Sequence, residues 1–281
     1  MSISGGVELS LVRGRETGCE AIQIFTKSSS QWKARTLPED EVARFHRTRE
    51  KTGIGTVVAH ASYLINLGSP DPDLWERSIG ALEVELERCD MLGVSDLVVH
   101  PGAHVGSGEA RGLQRIRRAL DRILKGRPPE GARICLETTA GQGTCLGHRF
   151  EHLARILDKS RYGSGIGFCL DTCHLLAAGY EIRTAAGYRQ TMDRFESLVG
   201  LVRVRVVHVN DSRKDLGSRV DRHEQIGKGY IGSKPFGRFL NDSRLAGLPF
   251  ILETPKGKDP VRNDRKNLAA LRRLLASRKG S

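Results

Sequence analysis

The chain has 281 residues, of which 38% are hydrophobic, 5% aromatic and 28% charged, and 45 Lys and Arg stand against 33 Asp and Glu. That length suits one large α/β domain, excludes a disulfide-stapled miniprotein, and with an ordinary supply of Val, Ile and Leu excludes wholesale disorder. No run approaches the roughly 20 consecutive apolar residues of a bilayer span, and no basic segment followed by an apolar core opens the chain. The cytosol is therefore the default compartment and no membrane partner is expected.

The net charge of +12 favours a polyanionic partner such as nucleic acid, because it governs encounter and solubility. Six cysteines are scattered along the chain. Cys169 and Cys173 are separated by three residues, not the two of a zinc ribbon, and Cys135 and Cys169 sit in apolar runs. Buried, reduced thiols are the better reading.

In chain order, a helix-like stretch, Gly5 to Thr17, precedes the first apolar run, Ala21 to Phe25. Pro38, Glu39 and Asp40 then open a helix with proline and carboxylates in its first turn, and the run Thr56 to Ala59 follows. Asp73 to Leu92 carries Leu74, Ile79, Leu82, Leu86 and Met91 with charges between them, the pattern of a helix with one buried face. The run Asp96 to Val99, a helix over Ala110 to Lys125 and the run Arg133 to Leu136 come next, and then the run Gly167 to Leu170. A helix over Thr184 to Val199, the runs Val204 to Val207 and Phe250 to Leu252, and a helix over Asp264 to Ser277 complete the pattern. Seven short runs without polar alternation suit strands buried on both faces of a parallel sheet.

Read to its end, each of six consecutive runs delivers a metal-competent side chain: His60, His100, Glu137, Asp171, His208 and Glu253, spaced 34 to 45 residues apart. An open sheet would string these along an edge, whereas a barrel brings them to one point on the face where βα loops build active sites. The predicted fold is an α/β (β/α)8 TIM barrel. A repeat that begins with a helix is out of phase for this fold, so the first strand is expected to be missing and residues 1–281 to be one N-terminally truncated domain.

Two further clusters add donors of the same kind: His174, three residues after Asp171, and Asp221-Arg222-His223 in a long loop. Nitrogen and carboxylate oxygen without thiolate suit Zn²⁺, Mn²⁺ or Fe. Nine donors fit two or three metals if carboxylates bridge, since uncompensated carboxylates converging at one buried point are strongly unfavourable. Other polar groups read as structural. Gly141 and Gly143 permit a tight path after Glu137, His46, His148 and His152 read as surface residues on helices, and His104 is close enough to His100 to support it.

The segments His60-Ala-Ser-Tyr63-Leu-Ile-Asn66, Val99-His100-Pro-Gly-Ala-His104, Leu136-Glu137-Thr-Thr-Ala-Gly-Gln142-Gly143, Leu170-Asp171-Thr-Cys-His174, Val207-His208-Val-Asn210-Asp211, Arg219-Val-Asp221-Arg-His223 and Leu252-Glu253-Thr254 resemble, in order, the signatures of the endonuclease IV family. These are metal-dependent apurinic/apyrimidinic endonucleases with a TIM barrel fold. The resemblance implies three zinc sites: His60, His100 and Glu137 for one; Glu137, Asp171, His208 and Glu253 for a second; His174, Asp221 and His223 for a third. It implies hydrolysis of the phosphodiester 5′ to an abasic site in double-stranded DNA, clearing of blocked 3′ ends, and a monomer. Glu137 would set the spacing of the metal pair, and Glu253 would ligate and orient the attacking water.

Candidates for filling the gap left by a missing base are Tyr63, Gln31 and Trp32. Ser30 stands where the family often carries an Arg that enters the duplex, so gap filling passes to those residues or abasic selectivity is weaker. Lys27, Lys33, Arg35, Arg219 and Arg222 are candidate phosphate contacts, whereas Arg272, Arg273, Arg278 and Lys279 read as solvated helix faces. The main competitor is a one-metal sugar isomerase or epimerase of the xylose isomerase-like superfamily, which has no use for His60, His100, His174, Asp221 and His223. A noncatalytic DNA-binding protein is the second.

Overall fold

The computed structural model describes residues 1–276. Every apolar run forms a strand: β1 (Ala21–Ile24), β2 (Thr56–His60), β3 (Asp96–Val99), β4 (Arg133–Glu137), β5 (Ile166–Asp171) and β6 (Val204–His208). A short antiparallel pair, β7 (Asp211–Ser212) with β8 (His223–Glu224), comes before β9 (Phe250–Ile251). The helices are α1 (Leu9–Thr17), α2 (Glu39–Thr52), α3 (Pro72–Met91), α4 (Glu109–Leu124), α5 (Phe150–Lys159), α6 (Thr172–Ala178), α7 (Ala185–Leu198), α8 (Phe236–Leu240) and α9 (Pro260–Arg272). Among the described residues no helix is long and apolar enough to cross a membrane.

Where the boundaries differ from expectation, local chemistry explains it. The first helix starts only at Leu9, because Gly5 and Gly6 take φ of +88° and +149° and turn the chain. The last helix begins early, at Pro260, where Asp259 accepts from the Arg262 N–H; proline there loses no hydrogen bond. Ser277, the expected end of that helix, lies outside the described residues, as do Arg278 and Lys279. The elements α6, α8, β7 and β8 are too short to show a period.

The long strands make one parallel ladder in the order β1-β2-β3-β4-β5-β6-β9, with β1 and β9 approaching to within 8 Å between Cα atoms. The result is a near-closed barrel of seven strands among the described residues, with helices outside. The opening between β1 and β9 is a cavity of about 440 Å³ lined by Met1, Ile22, Ile24, Phe250 and Leu252.

Alternation along the strands sorts the side chains into layers. Val58, Val98, Cys135, Cys169, Val206 and Ile251 fill the barrel interior, while residues between them, such as Val57, Leu136, Phe168 and Val207, pack outward under the helices. Two residues beyond each interior residue the next inward layer begins, and it is made of the six strand-end donors. Phe168, fully buried with its ring edge-on to Phe195 of α7 at 6.0 Å, ties the barrel to its helical shell. Phe168→Ala is expected to lower unfolding free energy by about 3–5 kcal/mol, measured as a reduced urea midpoint with an unchanged denaturant slope.

Candidate metal centre

Glu137 lies fully buried at the axis of this layer. His60 and His100 each place Nε2 3.2 Å from its Oε2, while His174 and His208 each place Nδ1 3.1 Å from its Oε1. His208 Nδ1 is also 3.0 Å from Glu253 Oε2 and 3.8 Å from Asp171 Oδ2. His174 Nε2 is 3.0 Å from Asp221 Oδ2, and His223 Nε2 is 3.5 Å from Asp221 Oδ1 and 3.7 Å from Asp171 Oδ2. All nine expected donors are thus brought into one contiguous cluster.

Local structure explains how loop residues reach it. Asp171 ends β5 and caps α6, accepting the His174 N–H at 2.7 Å, so the Asp-Thr-Cys-His segment turns His174 back over Asp171. Asn210 donates to Asp171 Oδ2 at 2.6 Å and accepts the Glu253 N–H at 2.7 Å, joining β5, β6 and the end of β9. The β7–β8 hairpin carries Asp221 and His223 over the barrel mouth.

Several imidazoles are anchored by one nitrogen to an acceptor outside the cluster. His60 Nδ1 lies 2.7 Å from the Ala61 carbonyl, His174 Nδ1 2.8 Å from the Thr138 carbonyl and His223 Nδ1 3.1 Å from the Glu253 carbonyl. His208 places Nε2 2.8 Å from Gln23 Oε1. An N–H committed to each of these acceptors leaves the opposite nitrogen with its lone pair inward, the orientation a metal ligand requires. His174 Nε2 and His223 Nε2 are buried, make no hydrogen bond of good geometry, and face only carboxylate oxygens, the nearest being those of Asp221 at 3.0 and 3.5 Å. Buried acceptors without donors beside paired carboxylates are what a divalent cation satisfies, so the residues fit the group. Cys169 lies within ligand distance of Glu137 and His208, but burial pushes its thiol up to about 12, and a protonated thiol is a poor ligand.

Gln23 was not expected here. It stands on β1 in the same inward layer, two residues beyond Ala21, and its Nε2 donates to Glu253 Oε1 at 2.7 Å while its Oε1 meets His208. A search for metal donors passes over an amide, and the contacts that give Gln23 its role, to His208 and Glu253, are made only by the folded barrel. Arg213 was also not expected at the mouth, which it lines with Tyr63, Arg222 and the metal donors; it pairs with Glu224 at 2.9 Å.

The expected DNA contacts separate. Tyr63 is 65% exposed beside the cluster, its ring 5.3 Å from Phe25 and 5.5 Å from His60. Arg219, Arg222 and Gln31 are exposed. Trp32 packs against the core under Arg77. Lys27 is a correction: it is buried, donates to the Gln31 carbonyl at 2.6 Å and faces Glu85 at 3.5 Å, so its ammonium shapes the 27–32 loop from inside and offers no surface charge. Arg35 pairs with Glu41 at 2.7 Å.

His148 and His152 are a second correction, since both are buried. With Glu109 they form a trio of metal-binding residue types, yet the Gly147 N–H points at His152 Nδ1 at 3.3 Å. That leaves the proton on Nε2, which faces Glu109 Oε2 3.4 Å away without completing a hydrogen bond, so this nitrogen presents a donor and not a ligand lone pair. His148 holds the Cys145 carbonyl at 2.9 Å and faces Arg219 Nη2 at 3.5 Å. His104 also turns away from the cluster, its Nδ1 accepting the Gly108 N–H at 3.2 Å.

Without a cation, protons balance the carboxylates. Burial opposes charge on His174 and His208, but the carboxylates Asp171 and Asp221 around the first, and Glu253 and Glu137 around the second, raise both pKa values well above 6.5. Burial likewise opposes the Glu137 carboxylate, and His208 and His100 hold it well below 4.5. The histidine contribution to stability is complete below 6.5 and lost as pH rises through the raised values, whereas that of Glu137 is complete above 4.5 and lost on acidification. Chelator-treated protein should therefore lose Tm as pH rises above 6.5 through the raised histidine values, and zinc, which displaces those protons, should restore it. Thermal melts at several pH values with and without chelator measure this. Gln23→Ala should weaken metal retention by roughly 10–100-fold, read by competition with a chromophoric chelator.

Comparison with known proteins matches this arrangement. The family model for the xylose isomerase-like TIM barrel matches residues 11–274. A probable endonuclease 4 of Chloroflexus aurantiacus is 52% identical, covering 98% of this chain and 96% of its own, and one of Geobacter sulfurreducens is 47% identical, covering 99% and 94%. The crystal structure of endonuclease IV from Thermus thermophilus superposes with a TM-score of 0.85 at 39% identity, covering 98% of this chain and 96% of that one. A D-psicose 3-epimerase from Clostridium cellulolyticum, at 16% identity and a TM-score of 0.72, shares the fold. With the donors of every expected motif gathered at one barrel mouth and relatives this similar along nearly its whole length, the chain belongs to the endonuclease IV family of xylose isomerase-like TIM barrels and is a nuclease of DNA repair.

Proposed function

We propose that this enzyme hydrolyses the phosphodiester 5′ to abasic sites in double-stranded DNA, leaving a 3′-hydroxyl and a 5′-deoxyribose phosphate, and that it also clears blocked 3′ ends. The observation that carries the reading is the surplus of donors: nine side chains converge, more than a one-metal sugar epimerase uses. His60, His100 and Glu137 would hold one zinc, Glu137, Asp171, His208 and Glu253 a second, and His174, Asp221 and His223 a third, with manganese acceptable in part. So held, divalent ions neutralise a phosphodiester, bring the pKa of bound water near 7 and stabilise a leaving oxyanion.

The chain's own groups do the rest. Glu253 has Oε1 held by Gln23 at 2.7 Å, which fixes the direction of its carboxylate toward the cluster for orienting the attacking water. The damaged nucleotide must leave the stack to reach a recessed cluster, and loss of its base lowers that cost. Tyr63, exposed at the rim and braced by Phe25, fills the space left in the duplex. Arg219 and Arg222 contact phosphates flanking the lesion, and Gln31 faces the duplex from a loop that Lys27 holds in shape.

Elemental analysis of purified protein with incision of a duplex bearing one abasic site tests the reading. About three zinc ions per chain and a nick on the 5′ side are expected; one manganese with ketose formation, or metal without incision, would overturn it. Glu253→Gln should reduce kcat by roughly 10²–10⁴-fold, the range of a positioned proton acceptor, while zinc content stays near that of the parent. Full incision by a fully loaded Glu253→Gln enzyme would remove Glu253 from the water-orienting role.

A further inference from the structure

The net charge is not concentrated at the barrel mouth. A groove of about 580 Å³ runs along the outer wall between the first two turns of α4 and the second half of α5, lined by Arg111, Arg117, Arg155, Lys159 and Arg161 and by no carboxylate. It continues, through the shared Arg117 and Arg161, into a second hollow of about 510 Å³ that adds Arg118, Arg122 and Lys125. Together the two hollows hold eight cations and two carboxylates, a net +6 of the chain's +12.

Both carboxylates are already engaged, Asp121 with Arg117 and Glu76 with Arg122, each at 2.7 Å. The side-chain charges of Arg111, Arg118, Lys125, Arg155, Lys159 and Arg161 have no carboxylate within 4.0 Å among the described residues. Like charges gathered along one groove repel, and the groove focuses their field on whatever anion enters it. The helix α4 has 16 residues, which gives a wall about 24 Å long, on the order of seven phosphates of one DNA strand. The groove is concave, and its Leu113 is buried beneath the cations. That shape suits a rod-like polyanion, whereas an anionic bilayer surface is met by an exposed apolar face flanked by basic residues.

We infer that the α4–α5 wall is a second, damage-independent binding surface for the backbone of double-stranded DNA, holding undamaged duplex on the outer wall of the barrel. The inference rests on DNA being the substrate and extends that reading to a surface outside the site. It is tested with the charge-reversed variant R111E/R155E/R161E and the milder R111Q/R155Q/R161Q, each first shown by thermal melting to be folded.

Affinity for an undamaged duplex of roughly 50 base pairs, at about 0.1 M salt, should fall at least about tenfold in the reversed variant and less in the neutral one. The slope of log affinity against log salt should shrink by roughly two to three, near 0.9 for each lost phosphate contact. The kcat on a short abasic duplex should be unchanged. Unaltered affinity and slope would overturn the inference, as would variants that lose binding to phosphatidylserine–phosphatidylcholine vesicles while keeping their hold on DNA. If the parent enzyme fails to incise abasic DNA the proposed activity falls, but binding to undamaged duplex still decides the role of the wall.

Discussion

Four imidazole nitrogens surround the two oxygens of Glu137 at 3.1–3.2 Å, in a position closed to water. A lone carboxylate there would be expensive to bury, and four neutral imidazoles alone would leave lone pairs unsatisfied. Facing acceptors cannot satisfy one another, so a proton or a cation must lie between them. The barrel supplies the means of meeting: β2, β4 and β6 end on His60, Glu137 and His208, and His100 follows β3 directly. The interior layer of Val58, Val98, Cys135, Cys169, Val206 and Ile251 beneath them is what keeps those ends in register.

The layer around the donors is as ordered as the donors. Backbone carbonyls of Ala61, Thr138 and Glu253 select which nitrogen of three histidines faces inward, and Gln23 does the same for His208 while holding Glu253. The same device reads differently at His152, where a backbone N–H in place of a carbonyl leaves the proton on the far nitrogen. Two groups of His and Glu that look alike in composition therefore differ in chemistry because of which backbone group faces each ring.

Buried charge also shapes the loops that frame the mouth. Arg88 donates through Nε to the Thr26 carbonyl at 3.0 Å and through Nη1 to that of Arg35 at 2.9 Å, and Lys27 ties the Gln31 carbonyl toward Glu85. The 26–35 loop is thus held from beneath by two cations that composition alone would place at the surface. Further surface cations gather along α4 and α5 on the outer wall, while Arg213 and Arg222 line the mouth itself.

Seven strands, their order in the chain and the donors at their ends were legible in the sequence, because a buried parallel strand is a short apolar run and a TIM barrel puts functional side chains immediately after it. The motifs around His174, Asp221 and His223 were legible by resemblance. Gln23 was not, since its importance lies in sharing an inward layer with residues up to 230 positions away. Nor were the inward turn of Lys27, the burial of His148 and His152, or the hairpin of β7 and β8, because these depend on which distant groups lie opposite and not on any local period. The sequence by itself determined the barrel and its donors; only the tertiary structure decided ring orientation, which charges face water and where the positive field lies, since each is set by contacts between segments far apart in the chain.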